Sequence, residues 1–141
     1  MRYAGFWLRF CAAIIDGIVV NIIGIIAGFA IGLSIGIIVG DAETAQALAG
    51  VLGSIAGIVI AWLYCSFMES SPKQATLGKQ ALGIKVTNLD GKPISFFNAT
   101  GRHFAKYLSI LILLIGYIMA AFTSKRQALH DMVAGSLVLK N

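Results

Sequence analysis

Apolar positions run almost unbroken through the first half of the chain, and the few interruptions mark out its elements. From about Phe10 to Val39 the residues are overwhelmingly apolar, and none between Gly17 and Gly40 is charged. As a helix this stretch is about 45 Å long against a hydrocarbon core of about 30 Å. It must therefore tilt, kink or begin in the membrane interface. Tyr3, Phe6, Trp7 and Phe10, interleaved with Arg2 and Arg9, suit an interfacial start. A short polar turn, Asp41–Gln46, leads to a second helix predicted from about Ala47 to Phe67, with Trp62, Tyr64 and Phe67 at its far end.

After Glu69 the pattern becomes more water-like. Gly83–Asn88 alternates apolar and polar residues, Asp90-Gly91 is a turn signal, and Lys92-Pro-Ile-Ser follows, which predicts a small hairpin. The tail Gly135–Lys140 alternates weakly and reads as a third strand beside it. In Phe96–Ser109, the polar residues Arg102, Lys106 and Ser109 recur at helical spacing, while Phe97, Phe104, Tyr107 and Leu108 fill the rest. This is the pattern of a basic amphipathic helix lying in the interface. Ile110–Phe122 would be about 20 Å long as a helix, too short to span. It spans if counted from Phe104, with Lys106 snorkelling, or it bends back near Gly116. The predicted fold is an all-α integral membrane protein over residues 1–141 as a single domain. It comprises two long packed transmembrane helices, a small cytoplasmic hairpin loop, and a third apolar segment that is spanning or re-entrant.

Composition supports that reading. Hydrophobic residues make up 58% and charged residues 12%, where a soluble domain has about 25% charged. The net charge of +5 could suit nucleic acid or an anionic membrane surface. The lysines cluster between Lys73 and Lys106 beside apolar segments, so the expected partners are the lipid bilayer and its anionic headgroups at the basic loop, with no nucleic acid. The first apolar run is longer than the roughly 7–15 residues of a cleaved signal peptide. Arg2, Arg9 and the lysine-rich loop place the N-terminus in the cytoplasm. A full third span would put Lys125, Arg126 and Lys140 outside, against the charge rule, which favours a cytoplasmic C-terminus. Cys11 and Cys65 lack metal-ligand or redox spacing and read as buried free thiols.

Candidate function rests on a few residues. Gly24, Gly28, Gly32, Gly36 and Gly40 recur every four positions, and Ala49, Gly53, Gly57 and Ala61 answer them on the second helix. Small residues let membrane helices approach closely, so these are expected to pack on each other or on a second copy in a homo-oligomer. Arg9 and Asp16 are two turns apart on one helix face. A carboxylate poised between burial and an arginine can bind a cation or carry a proton, or can form an internal salt bridge. Asn21 is expected to make an interhelical hydrogen bond. Lys125-Arg126 reads as a topological anchor, and His130 beside Asp131 as a pair titrating near neutral pH or a solvated turn. No catalytic arrangement, cofactor motif or metal spacing emerges, so no enzyme is expected.

Three segments resemble the RDD family of membrane proteins, named for one arginine and two aspartates. They are Phe6–Asp16, then Gln74–Val86 with Asp90-Gly91-Lys-Pro, and Arg126–Ser136, in the family's order. Ala128 and Ser136 stand where threonine is common. The resemblance assigns the arginine to Arg9 and the aspartates to Asp16 and Asp131. It implies a bacterial plasma (inner) membrane and either cation (Na+)/proton antiport or an accessory role in a membrane complex. In the antiport reading Asp16 binds the ion or proton, Arg9 tunes it, Asp131 is a second carboxylate at the cytoplasmic entrance, and His130 and Asn21 are accessory.

Overall fold

Helix-favouring apolar runs and a few turn residues determine the observed elements. The computed structural model describes residues 2–111 and 121–141, the side chains of residues 109–111 excepted. Helix α1 spans Phe6–Val39 and α2 spans Ala42–Ser70. Both are longer than predicted because neither end needs a polar loop. Gly40 takes a left-handed φ of 69°, and the Asp41 carboxylate accepts the Thr44 N–H at 2.8 Å, capping α2. The expected six-residue polar turn thus shrinks, and its last five residues become the first turns of α2.

Beyond α2 come a short helix α3 (Leu77–Ala81), strand β1 (Ile84–Asn88), helix α4 (Phe96–Leu111), helix α5 (Leu129–Ala134) and strand β2 (Ser136–Lys140). The fold is mostly helical, and two of its helices are long and apolar enough to cross a membrane. The apolar segment Ile110–Phe122 lies for the most part outside the described residues, and the spanning and re-entrant alternatives fall with it.

The predicted hairpin is corrected. The Asp90-Gly91 turn forms: Gly91 has a φ of 80°, and the Asn88 side-chain oxygen accepts the N–H groups of Asp90 and Lys92. However, beyond the Asn88 N–H donating to Lys92 C=O at 2.8 Å, the residues after the turn do not pair along β1. Pro93 has no N–H to donate to a ladder. The antiparallel partner of β1 is β2, in the register Ile84 to Lys140 and Asn88 to Ser136. The weakly alternating tail is therefore the real second strand.

The chain divides into two compact units, Met1–Asp16 with Tyr64–Asn141, and Gly17–Leu63. The first has a small core of Ala4, Ala12, Ile84, Val86, Ile94, Ala99 and Val138. Its N-terminal residues are stitched to β2, with the Ala4 N–H donating to Val138 C=O at 2.8 Å and the Lys140 N–H to Arg2 C=O at 2.7 Å. In the second unit the outward residues are large and apolar, including Ile25, Phe29, Ile37 and Ile38, which suits lipid and not water. The close packing expected of its glycines is absent among the described residues. A Cβ added at Gly24, Gly28, Gly32, Gly36, Gly53 or Gly57 would meet nothing within 4 Å among the described residues. Asn21 also departs from expectation: its side-chain amide donates to the Gly17 carbonyl of its own helix at 2.7 Å. Both cysteines are free, but neither is fully buried as expected: Cys11 is exposed and Cys65 half-buried.

Candidate functional site

The charged residues of the first unit form two adjoining arrangements. Arg9 and Asp16 do share α1, but they do not pair. The Arg9 guanidinium instead pairs with Asp131, its Nη2 donates to the Arg126 carbonyl at 2.6 Å, and its Nε donates to Ala4 C=O at 3.3 Å. Asp131 sits in the first turn of α5, where its Oδ2 also accepts the Ala128 N–H at 3.1 Å. Its other oxygen takes Arg102 from α4, through Nε at 2.9 Å and Nη2 at 2.7 Å.

Arg102 is the centre of the cluster. It is only 1% exposed, and its Nη1 reaches both carboxylate oxygens of Glu69 at 2.8 Å. Nε is also 3.1 Å from the Ser136 hydroxyl. Glu69, near the end of α2, further pairs with Lys79 of α3, and Lys106 lies 4.0 Å away. The order is thus Arg9–Asp131–Arg102–Glu69–Lys79, in which every buried charge has an opposite neighbour. Unpaired burial of such ions would cost several kcal/mol each.

Those neighbours decide protonation. Burial alone would favour neutral Asp131, but Arg102 and Arg9 outweigh it and hold the carboxyl well below the usual carboxylate range. Burial likewise opposes the Arg102 charge, and Glu69 and Asp131 reverse this to raise its pKa. At Lys79 burial prevails over Glu69 and pushes the ammonium down to about 8. Burial also pushes His130 down to about 2, although its Nε2 is 3.5 Å from Asp131. The expected neutral-pH titration of His130 with Asp131 is therefore corrected: the imidazole stays neutral and the carboxylate stays ionised. His103 packs its ring edge-on to Phe104 and Tyr107, and burial pushes it down to about 4.

Asp16 has a different environment. The Tyr64 hydroxyl and the Gly78 N–H donate to Oδ1 at 2.9 and 2.8 Å, and the Thr76 hydroxyl donates to Oδ2 at 2.5 Å. Tyr64 in turn accepts the Leu77 N–H at 3.1 Å. No salt bridge to Asp16 occurs among the described residues. Gly78 makes this possible: a Cβ there would lie 2.3 Å from the Ala12 carbonyl oxygen and 2.8 Å from Asp16 Oδ1. The segment Thr76–Lys79 therefore serves both arrangements. Thr76 and Gly78 hold Asp16, and Lys79 holds Glu69.

The three charges named from sequence are all built into this unit, but Arg9 is joined to Asp131 and Asp16 stands apart. Glu69, Arg102, Lys79, Tyr64 and Thr76 were not singled out. Arg102 showed a signal in its helical spacing with Lys106. That polar face turned out to point inward, while Phe97 on the other side is 85% exposed. Among the described residues no group of three or more His, Cys, Asp and Glu side chains could hold a metal ion.

Comparison with known proteins agrees with this arrangement of segments. The pattern described as the RDD family matches residues 3–135. The uncharacterized protein YxaI of Bacillus subtilis (strain 168) is 37% identical, covering 96% of each chain. The uncharacterized membrane protein YteJ of the same organism is 29% identical over 97% of this chain and 80% of its own. An uncharacterized protein of Haemophilus influenzae is 33% identical over 67% of this chain and 64% of its own. No solved structure matches.

Proposed function

The chain belongs to the RDD family, and from that premise we propose that it exchanges a cation such as sodium for protons at Asp16, acting as an oligomer in the membrane. The observation that supports this reading is the company Asp16 keeps. It stands at the threshold of the uncharged run of α1, and its oxygens are met by two hydroxyls and one amide rather than by a cation. Hydroxyl protons can turn away, leaving three oxygens of Asp16, Tyr64 and Thr76 facing an entering cation. Ionisable groups at such depth mark ion and proton paths in membrane proteins.

Arg9 and Asp131 take other roles in this proposal than the resemblance implied. Their mutual pairing, shared with Arg102, fixes α1 to α4 and α5. Asp131 between two guanidiniums is a poor proton carrier, so the exchange rests on one carboxylate. The test is purified protein in vesicles under an imposed sodium gradient, with a pH-sensitive dye inside. Proton movement is expected in the wild type and is lost in Asp16→Asn. An inactive but folded wild type, or undiminished movement in Asp16→Asn, overturns the proposal.

A second reading, a non-transporting assembly subunit, is favoured by the glycine faces that none of the described residues covers. It predicts stable co-purification with another membrane protein and no ion movement.

A further inference from the structure

The first unit contains a cavity of about 340 Å³, lined among others by Gly5, Phe6, Trp7, Leu8, Arg126 and Lys140. That is the low end for ligand pockets, the size of a small headgroup and not of a large cofactor. Its lining has two cations and no acid. Neither cation has a partner charge among the described residues, although acids elsewhere in this unit are multiply paired.

Both cations are fixed by their backbones while their side chains stay available. Arg126 adopts a left-handed φ of 49°. Its turn is pinned by its own N–H to Thr123 C=O at 3.0 Å and by the Gln127 N–H to the Thr123 hydroxyl at 2.6 Å. Its carbonyl is held by Arg9. The guanidinium lies against Gly5, with Nη1 3.1 Å from the position a Cβ would take. Lys140 closes β2 through its N–H to Arg2. The remaining wall is aromatic and apolar, and Trp7 within it is 73% exposed. Phe6, Trp7 and Phe10 form an aromatic group there, with ring centroids 5.4–6.0 Å apart. Aromatic belts of this kind lie at headgroup level.

We propose that this cavity binds the phosphate of an anionic phospholipid, with Arg126 and Lys140 on the headgroup and the acyl chains running along Trp7 and Phe6. The shared chemistry is a phosphate ester. The lipid source follows from the apolar wall, which a soluble phosphate would leave unused. The site is independent of Asp16 and of any transport.

The full chain, purified in detergent, is titrated with phosphatidylglycerol and followed by native mass spectrometry. Each cation near an anionic lipid surface contributes roughly fivefold in affinity. Arg126→Gln/Lys140→Gln is therefore expected to lose on the order of twentyfold. Equal affinity in this variant and the wild type overturns the proposal. So does phosphatidylcholine binding as tightly as phosphatidylglycerol, or glycerol 3-phosphate competing as well as the lipid. A second measurement needs no change at the site. With Trp62→Phe leaving Trp7 as sole tryptophan, brominated phosphatidylglycerol should quench its fluorescence at lower lipid fraction than brominated phosphatidylcholine. Identical quenching curves count against the site.

Discussion

Arg102 shows how one side chain can organise a membrane-edge fold. It draws Glu69 from α2 and Asp131 from α5 onto one guanidinium, so its removal strands two buried acids. Arg102→Met is expected to destabilise by about 3–5 kcal/mol, the usual cost of breaking a buried pair. Asp16→Asn should cost less, because the amide oxygen can keep the Tyr64 and Gly78 donors while the Thr76 hydroxyl turns to accept from the amide nitrogen. Thermal unfolding in detergent checks both. The pH dependence follows from His130. Its pKa is about 2 folded against the ordinary 6.5, so the unfolded state binds the proton first. Stability from this group is present above pH 6.5 and drains away as pH falls toward 2. Lys79 acts in the same direction higher up, its contribution present above 10.5 and lost as pH falls through about 8. Unfolding measured between pH 7 and 4 should show falling stability, with a shallower slope in His130→Gln. An unchanged slope would contradict the buried neutral imidazole.

Between elements, the glycine that closes a contact is not one of the conspicuous ones. The ladder on α1 and its counterpart on α2 were legible as a period, yet period alone does not say what covers it, and none of the described residues does. Gly78 carries no repeat, and its role depends on α3 pressing its backbone onto α1 at Ala12. Gly78→Ala is expected to destabilise by about 1–3 kcal/mol through overpacking and to displace Asp16. Gly32→Leu should leave unfolding nearly unchanged and reduce the oligomer population seen by cross-linking. The reverse pattern would assign the packing contact to the ladder. The long helices were legible because apolar length is a local property. The β1–β2 pairing was only half legible, because alternation marks a strand but does not choose its partner. Arg102 was misread for a related reason: a polar face shows its period in sequence, but only the acids brought by α2 and α5 turn it inward.

Across the whole molecule, all 11 lysines and arginines fall in the first compact unit, and the second holds only Asp41 and Glu43 as charges. By the charge rule the first unit is expected on the cytoplasmic side. The stitching of Arg2 and Ala4 to β2 puts both ends of the chain on the same side. A phosphatase fused after Asn141, active only outside the cytoplasm, is expected to stay inactive, and a green fluorescent protein there to fluoresce. An active phosphatase would refute this topology. Charge placement led only to an expectation for the C-terminus, whereas the closure of the chain on itself needed the strand partner. That closure also imposes an order in time. Arg9 is translated early and its acid follows 122 positions later, long after the first long helices have left the ribosome. The nascent chain must therefore enter the membrane with this arginine provisionally hydrated, and the clasp locks only when α5 emerges. A translation product that stops short of Asp131 lacks the carboxylate that completes the clasp, and its Arg9 is left without that counter-charge.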